Sequence, residues 1–245
     1  MDQDSKKLSV EKAEQFHTFV AKALFLCHRA RPDIMPAISF LCTRVKESTE
    51  QDWNKLLRVM KFLEHTKTDV LTLSADGSNA LHWYWDASFA VHQDYKSHTG
   101  GTFTMGKGAI TSTSKKQKLN TRSSTEAELV AVDDGMSKML WTRLFLEAQG
   151  LTIADNILYQ DNQSAILLAK NGKASSSKRT RHFNIRYFFV TDQVEKGNLT
   201  IKFCPTDEMQ ADYQTKPNTG AKFAQQRSIL MNLPLSQCKD TGDIS

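Results

Sequence analysis

Four acidic residues, Asp86, Glu128, Asp161 and Asp212, stand in contexts that could bring their carboxylates together. Asp86 closes the apolar, aromatic run Leu81-His82-Trp83-Tyr84-Trp85, and Asp161 follows the short strand-like stretch Ile157-Leu158-Tyr159-Gln160. Glu128 lies in the first turns of a long helical pattern that opens Ser123-Ser124-Thr125. Asp212 sits late in the chain, in Met209-Gln210-Ala211-Asp212-Tyr213-Gln214-Thr215-Lys216. Two strand ends, a helix start and a late helix can converge on one side of a sheet. Carboxylates so gathered cannot all stay ionised without cations, because like charges at close range raise one another's pKa. Hard divalent metals with oxygen ligands, above all Mg²⁺, suit such a cluster. Two of these ions would clamp the attacking and leaving oxygens of a phosphodiester.

Each acid also has a plainer reading. Asp86 could simply end a strand. Ser123 as N-cap puts Glu126 at the capping-box position, where its carboxylate turns back to the N-cap amide, and leaves Glu128 for the site. Asp161 could cap the helix that follows, although Asn162 can take that role. Asp212 in mid-helix could be a solvated residue. Asp133-Asp134 resembles the paired aspartates of a polymerase, but it falls inside a helical pattern, where consecutive side chains point about 100° apart. The chain therefore carries no polymerase active site, and both aspartates are expected to face solvent. His182 reads as structural or phosphate-contacting rather than as a general acid. Trp83, Trp85, Trp141, Phe188 and Phe189 are expected in the core.

The elements that must hold these residues follow from periodicity. Residues 10–65 read as helices, with Pro32 placed to start one and Ser48 with Gln51 as a capping-box candidate before another. From residue 69 the period shifts towards two. Strands are expected at 70–73, 80–91, around 102–105 and 109–113, with turns at 75–79 and Gly106-Lys107-Gly108. A long helix over 124–148 is stopped by Gly150. Strand 156–160, helix 162–170, helix 182–195, strand 199–204, helix 206–215 and a last helix near 218–231 complete the order. Alternation of this kind predicts an α/β fold with a mixed five-stranded sheet flanked by helices.

Length and composition allow one domain plus an appendage: 245 residues, 40% hydrophobic, 24% charged. No apolar run is long enough to span a bilayer and no signal-peptide pattern opens the chain, so no membrane is expected. Cys27, Cys42, Cys204 and Cys238 are scattered without CxxC spacing, which suggests neither a zinc site nor a disulfide framework and fits a reducing interior, cytoplasmic or nuclear. The net charge of +5 is concentrated between Lys170 and Arg186, where six Lys or Arg residues occur and no acid. A solvated basic loop would look the same. Its position directly after the Asp161 segment favours a phosphate-contacting surface, with Lys178, Arg179, Arg181, His182 and Arg186 as the contacts.

From residue 80 to 217 the chain resembles the RNase H domain of copia-type LTR retrotransposon Pol polyproteins. The matching stretches are Asp86-Ala87-Ser88, Lys96-Ser97-His98-Thr99-Gly100-Gly101, Ser114-Lys115-Lys116-Gln117-Lys118 and Ser123 to Glu128. They continue with Asp161-Asn162-Gln163-Ser164-Ala165, Arg179-Thr180-Arg181-His182, Ile185-Arg186-Tyr187-Phe188 and Ala211-Asp212 through Lys216-Pro217. One departure is Ser88, where many relatives carry a second acid. The resemblance implies an RNase H-like domain at 77–217, preceded by a small helical segment at 1–76 like the C-terminal end of a reverse transcriptase (thumb or connection). A C-terminal helix and tail at 218–245 would follow. It implies hydrolysis of the RNA strand of RNA–DNA hybrids with two Mg²⁺ ions, for which Mn²⁺ can substitute. Asp86 and Asp161 would bridge the ions, Glu128 would complete one shell and Asp212 would hold the second ion. The implied partners are the hybrid and the reverse transcriptase portion of the same polyprotein. Two alternatives stand beside this: a transposase or integrase, which usually places its Glu last among three acids, and a non-catalytic nucleic-acid-binding fragment of a truncated or domesticated element.

Overall fold

The computed structural model describes residues 5–171 and 184–239. The chain divides into two compact units, one made of residues 1–72 with 217–245, the other of residues 73–216.

In the first unit, helix α1 (Val10–Arg29) starts at Ser9, whose hydroxyl accepts the Lys12 amide. A 3₁₀ turn, Pro32–Ile34, leads into α2 (Met35–Cys42). Helix α3 (Glu50–His65) begins one residue later than the Ser48–Gln51 box would place it. Thr49 is the N-cap and Asp52 the returning carboxylate, because Thr49 has the extended backbone that a cap needs. Phe16, Val20, Ile38, Leu41 and Leu56 form the core between these helices.

The strand expected at 70–73, where the first unit gives way to the second, does not form; Val70 and Leu73 are exposed and have no sheet to join. Only β1 (Ser74–Ala75) is extended there, paired with the short β4 (Gly106–Lys107) that follows β2 (Ala80–Ser88) and β3 (His98–Thr104). Then come β5 (Thr111–Lys116), α4 (Ser124–Ala148), β6 (Asp155–Gln160), α5 (Gln163–Asn171), α6 (Asn184–Glu195), β7 (Thr200–Phe203) and α7 (Asp212–Thr215). The main sheet has the order β5-β3-β2-β6-β7. Its β5, β3 and β2 are antiparallel neighbours, while β6 and β7 join β2 in parallel. This is an α/β fold, with the mixed five-stranded sheet that the residue pattern predicts.

Strand β2 is buried along nearly its whole length, as a central strand covered on both faces must be. Trp83 stacks on Phe103 with centroids 4.0 Å apart, and its indole N–H donates to Asn156 at 2.9 Å. Trp85 lies in a slot that only glycine leaves open, since a Cβ at Gly135 would sit 2.2 Å from its ring and one at Gly101 2.6 Å. Trp141 and Phe189 are not core residues: they are 62% and 40% exposed. Trp141 stacks on Phe145 one turn along the outer side of α4, so its apolar area meets a neighbour on its own helix instead of the sheet. Asp133 and Asp134 lie within α4; Asp133 is half-buried, Asp134 is exposed, and Asp134 pairs with Lys115 at 3.2 Å.

Residues 217–245 group with the first unit through α8 (Gly220–Met231) and α9 (Leu235–Lys239). Arg227 of α8 is fully buried and donates to Asp33 at 2.9 Å and Asp69 at 2.5 Å. Arg31 holds both oxygens of the same Asp33 at 2.9 Å and reaches the Thr66 hydroxyl at 2.7 Å. A bidentate guanidinium satisfies a buried carboxylate as few other groups can.

Candidate functional site

Sheet register brings the first two acids level. Tyr84 of β2 is opposite Tyr159 of β6, so continuing the parallel ladder by two residues places Asp86 beside Asp161. Glu128 comes from the second turn of α4. Ser123 caps that helix through the Glu126 amide at 3.2 Å, and the Glu126 carboxylate accepts the backbone N–H of Arg122. The reach is one residue beyond the expected N-cap amide, yet the consequence is the same: Glu126 is occupied at the helix start and Glu128 turns inward. Asn162 takes the capping of α5, its side chain accepting the Ala165 amide at 3.0 Å, which leaves Asp161 available.

Asp86, Glu128 and Asp161 each present an oxygen within 4.8 Å of the others. Asp86 and Glu128 are 3% and 5% exposed, so their charges meet with little water between them. Burial pushes the Asp86 carboxyl up, and the charges of Asp161 and Asp212 add to the rise against the pull of Thr215 and Lys216. Burial also drives Glu128 well above the usual carboxylate range, with Asp86 and Asp161 adding to it. A protein does not ordinarily keep like charges this close and this dry without a cation. All-oxygen donors of this kind match a hard divalent ion such as Mg²⁺, so the residues present fit the metal that the resemblance implies.

Asp212 is placed differently. It is the first residue of the short α7, not the middle of a long helix, and is 1% exposed. Its carboxylate takes the Lys216 ammonium, which also lies 4.0 Å from Asp86. The fourth acid thus adjoins the site through a lysine and stands outside the trio of converging oxygens. Lys178, Arg179, Arg181 and His182 lie outside the described residues, as does the side chain of Arg186.

Several groups that organise the site were not singled out from the residue pattern. Thr215 donates to Asp86 at 2.6 Å. Gln160, almost fully buried at the end of β6, donates to Glu128 at 3.3 Å, while its oxygen accepts the amides of Asp161 and Asn162 at 2.9 and 3.1 Å. Thr206 donates to Asp161 at 3.0 Å. Gln160 directly precedes Asp161, and Thr215-Lys216 belongs to the matched Asp212 stretch, so adjacency was the available signal.

No family model matches the chain. The chain is 32% identical over 210 residues to the "Retrovirus-related Pol polyprotein from transposon TNT 1-94" of Nicotiana tabacum, covering 85% of this chain and 16% of that protein. It is 34% identical over 195 residues to the corresponding polyprotein from transposon RE1 of Arabidopsis thaliana, covering 79% and 13%. The chain thus spans a small part of the length of these relatives. Among solved structures, LC11-RNase H1 isolated from compost overlays on 56% of this chain and 92% of its own, with TM-score 0.42 and 13% identity. That overlay is too loose to bear on function. Among the described residues, no helix is long and apolar enough to cross a membrane. By sequence, the chain is a homologue of copia-type retrotransposon Pol polyproteins, matching a segment of them.

Proposed function

We propose that this chain is a ribonuclease H: a Mg²⁺-dependent endonuclease that hydrolyses the RNA strand of RNA–DNA hybrids during retrotransposon reverse transcription. The observation that carries the reading is the convergence of three carboxylates at the ends of β2 and β6, with Asp86 and Glu128 buried and Asp161 half-buried. These residues would hold the metal, with Asp212 beside them. When bound, divalent ions supply the Lewis-acid charge that phosphodiester hydrolysis needs. The chain's own part is to hold the carboxylates in place and aimed. Thr215 fixes one oxygen of Asp86, Gln160 orients Glu128 while tying down the start of the Asp161 turn, and Thr206 restrains Asp161. Lys216 pairs with Asp212 and offsets part of the repulsion that the fourth acid adds to Asp86.

The basic segment 170–186 would track phosphates, through Lys178, Arg179, Arg181, His182 and Arg186, without reading bases. Hybrid would be told from duplex DNA by 2′-hydroxyls and minor-groove shape. The reverse transcriptase portion of a Pol polyprotein is the natural partner, and Mn²⁺ should replace Mg²⁺. The test is cleavage of end-labelled RNA–DNA hybrid with Mg²⁺, against double-stranded DNA and double-stranded RNA. Cleavage confined to the RNA of the hybrid is expected. A protein inert at every Mg²⁺ and Mn²⁺ concentration would overturn the reading in favour of a non-catalytic nucleic-acid-binding fragment.

A further inference from the structure

Three matched stretches that carry none of the site's clustered carboxylates, or only Asp212 at its margin, pack together. They are Lys96–Gly101, which leads into β3, Ser114–Lys118, which ends β5 and continues past it, and Ala211–Lys216 around α7. The Ser114 hydroxyl donates to the backbone carbonyl of Gln214 at 2.8 Å. A carbonyl only accepts, so the single proton of Ser114 is committed there. His98 Nε2 lies 2.8 Å from the same hydroxyl oxygen and must therefore donate to it. That fixes the ring tautomer: Nε2 carries the proton and Nδ1 offers a lone pair. His92 Nε2 faces that lone pair at 3.0 Å and donates in turn. Each step runs one way, from His92 through His98 and Ser114 to the backbone of α7. His98 is 8% exposed, and burial pushes its pKa down to about 4, which keeps the ring neutral and the direction intact near neutral pH.

Helix α7 needs such a hold. It has four residues and no side-chain cap at its start, too little to stand by its own hydrogen bonds. It nevertheless delivers two site residues, Asp212 and the Thr215 whose hydroxyl is 2.6 Å from Asp86. Gly100 lets it approach β3 closely: a Cβ there would lie 2.5 Å from Thr215 Cγ2 and 2.7 Å from the Ala211 carbonyl. The seat of α7 is thus a gap left by a glycine and a donor supplied by a serine.

We infer that His98 is a positioning residue, which orients Ser114 onto the Gln214 carbonyl and so holds α7, with Asp212 and Thr215, against Asp86. The kinetic part of this inference rests on the nuclease reading; the structural part does not. The experiment uses the full chain with His98→Ala, His98→Gln and Ser114→Ala. Glutamine places an amide N–H close to where Nε2 stands. Two readouts are taken: amide hydrogen exchange at 212–216, and kcat and KM on RNA–DNA hybrid. In His98→Ala and Ser114→Ala, exchange at 212–216 should quicken by about tenfold or more, with the central strands unchanged. Turnover should drop by a similar factor with KM nearly constant, and His98→Gln should restore both. If His98→Ala fails to fold, Ser114→Ala, which removes one hydroxyl, decides the matter alone. Wild-type exchange at 212–216 in the variants would overturn the inference. So would a His98→Gln variant as loose as the alanine, since ring volume rather than the donor would then be what matters. Wild-type protein inert on hybrid would sink the nuclease reading and leave exchange to decide on His98.

Discussion

Each of the two units buries a group of charges, and the two groups are built on opposite rules. In the unit of residues 1–72 and 217–245, Arg31 and Arg227 alternate with Asp33 and Asp69, each carboxylate facing a guanidinium at hydrogen-bond distance. In the unit of residues 73–216, Asp86, Glu128 and Asp161 face one another, while Lys216 is committed chiefly to Asp212. Alternating charge needs nothing further, and it ties α8 to the loops around Asp33 and Asp69. Crowded like charge is unfavourable as it stands and becomes favourable only when a cation arrives. The contrast separates burial that serves architecture from burial that serves a site.

The largest effect expected is on turnover. Asp161→Asn keeps shape but removes one charge of the trio, so Mg²⁺-dependent hybrid cleavage should fall by several orders of magnitude. Metal-free stability should hold or rise, because one source of repulsion is gone; a melting curve without metal checks this. An unfolded variant would show that Asp161 belongs to the architectural kind of charge. The opposite pattern is expected in the other unit. Arg227→Ala leaves Asp33 and Asp69 buried without their shared partner and should destabilise the first unit by about 3–5 kcal/mol in denaturant titration.

A third effect depends on pH. Burial holds His98 at about 4 in the folded chain, below the usual 6.5. As pH falls below 6.5 the unfolded chain takes up the proton first, so the stability contributed by neutral His98 drains away until about pH 4. The shift corresponds to about 3 kcal/mol across that window. His98→Gln should therefore lose less stability than wild type between neutral pH and pH 5, measured by thermal melting at each pH. Parallel pH profiles for the two proteins would contradict the assignment. A smaller effect is expected from neutralising Lys178, Arg179 and Arg181 together, which should lower the log–log salt slope of hybrid binding by roughly 2–3 units. Smallest of all is Glu126→Gln, which should leave cleavage nearly unchanged, because glutamine also serves at that capping position.

Much of this arrangement could be read from residue order because it depends on local signals. The apolar run before Asp86, the Ser123 cap that sorts Glu126 from Glu128, and the short strand before Asp161 each act within a few residues. What escaped depends on distant partners. Thr215 and Asp86 are 129 positions apart, so nothing in either neighbourhood announces their hydrogen bond. Trp141 repeats at the spacing of a core residue yet lies on the outer side of α4, since periodicity gives a face but not which side is covered. Val70–Leu73 looks extended and is extended nowhere in a sheet, because strand formation needs a neighbour that only the fold supplies. Asp212 was expected in mid-helix and stands at the start of a four-residue helix, paired with Lys216, a placement set by tertiary contacts rather than propensity.

The central claim is that the trio is a cation site. Its most direct test is a calorimetric titration of Mg²⁺ into the full chain and into Asp86→Asn, with melting curves recorded at each metal concentration. The account predicts saturable binding in wild type together with a rise in melting temperature, both lost or greatly weakened in Asp86→Asn. Equal binding in the two proteins, or a wild-type melting temperature indifferent to Mg²⁺ and Mn²⁺, would contradict it.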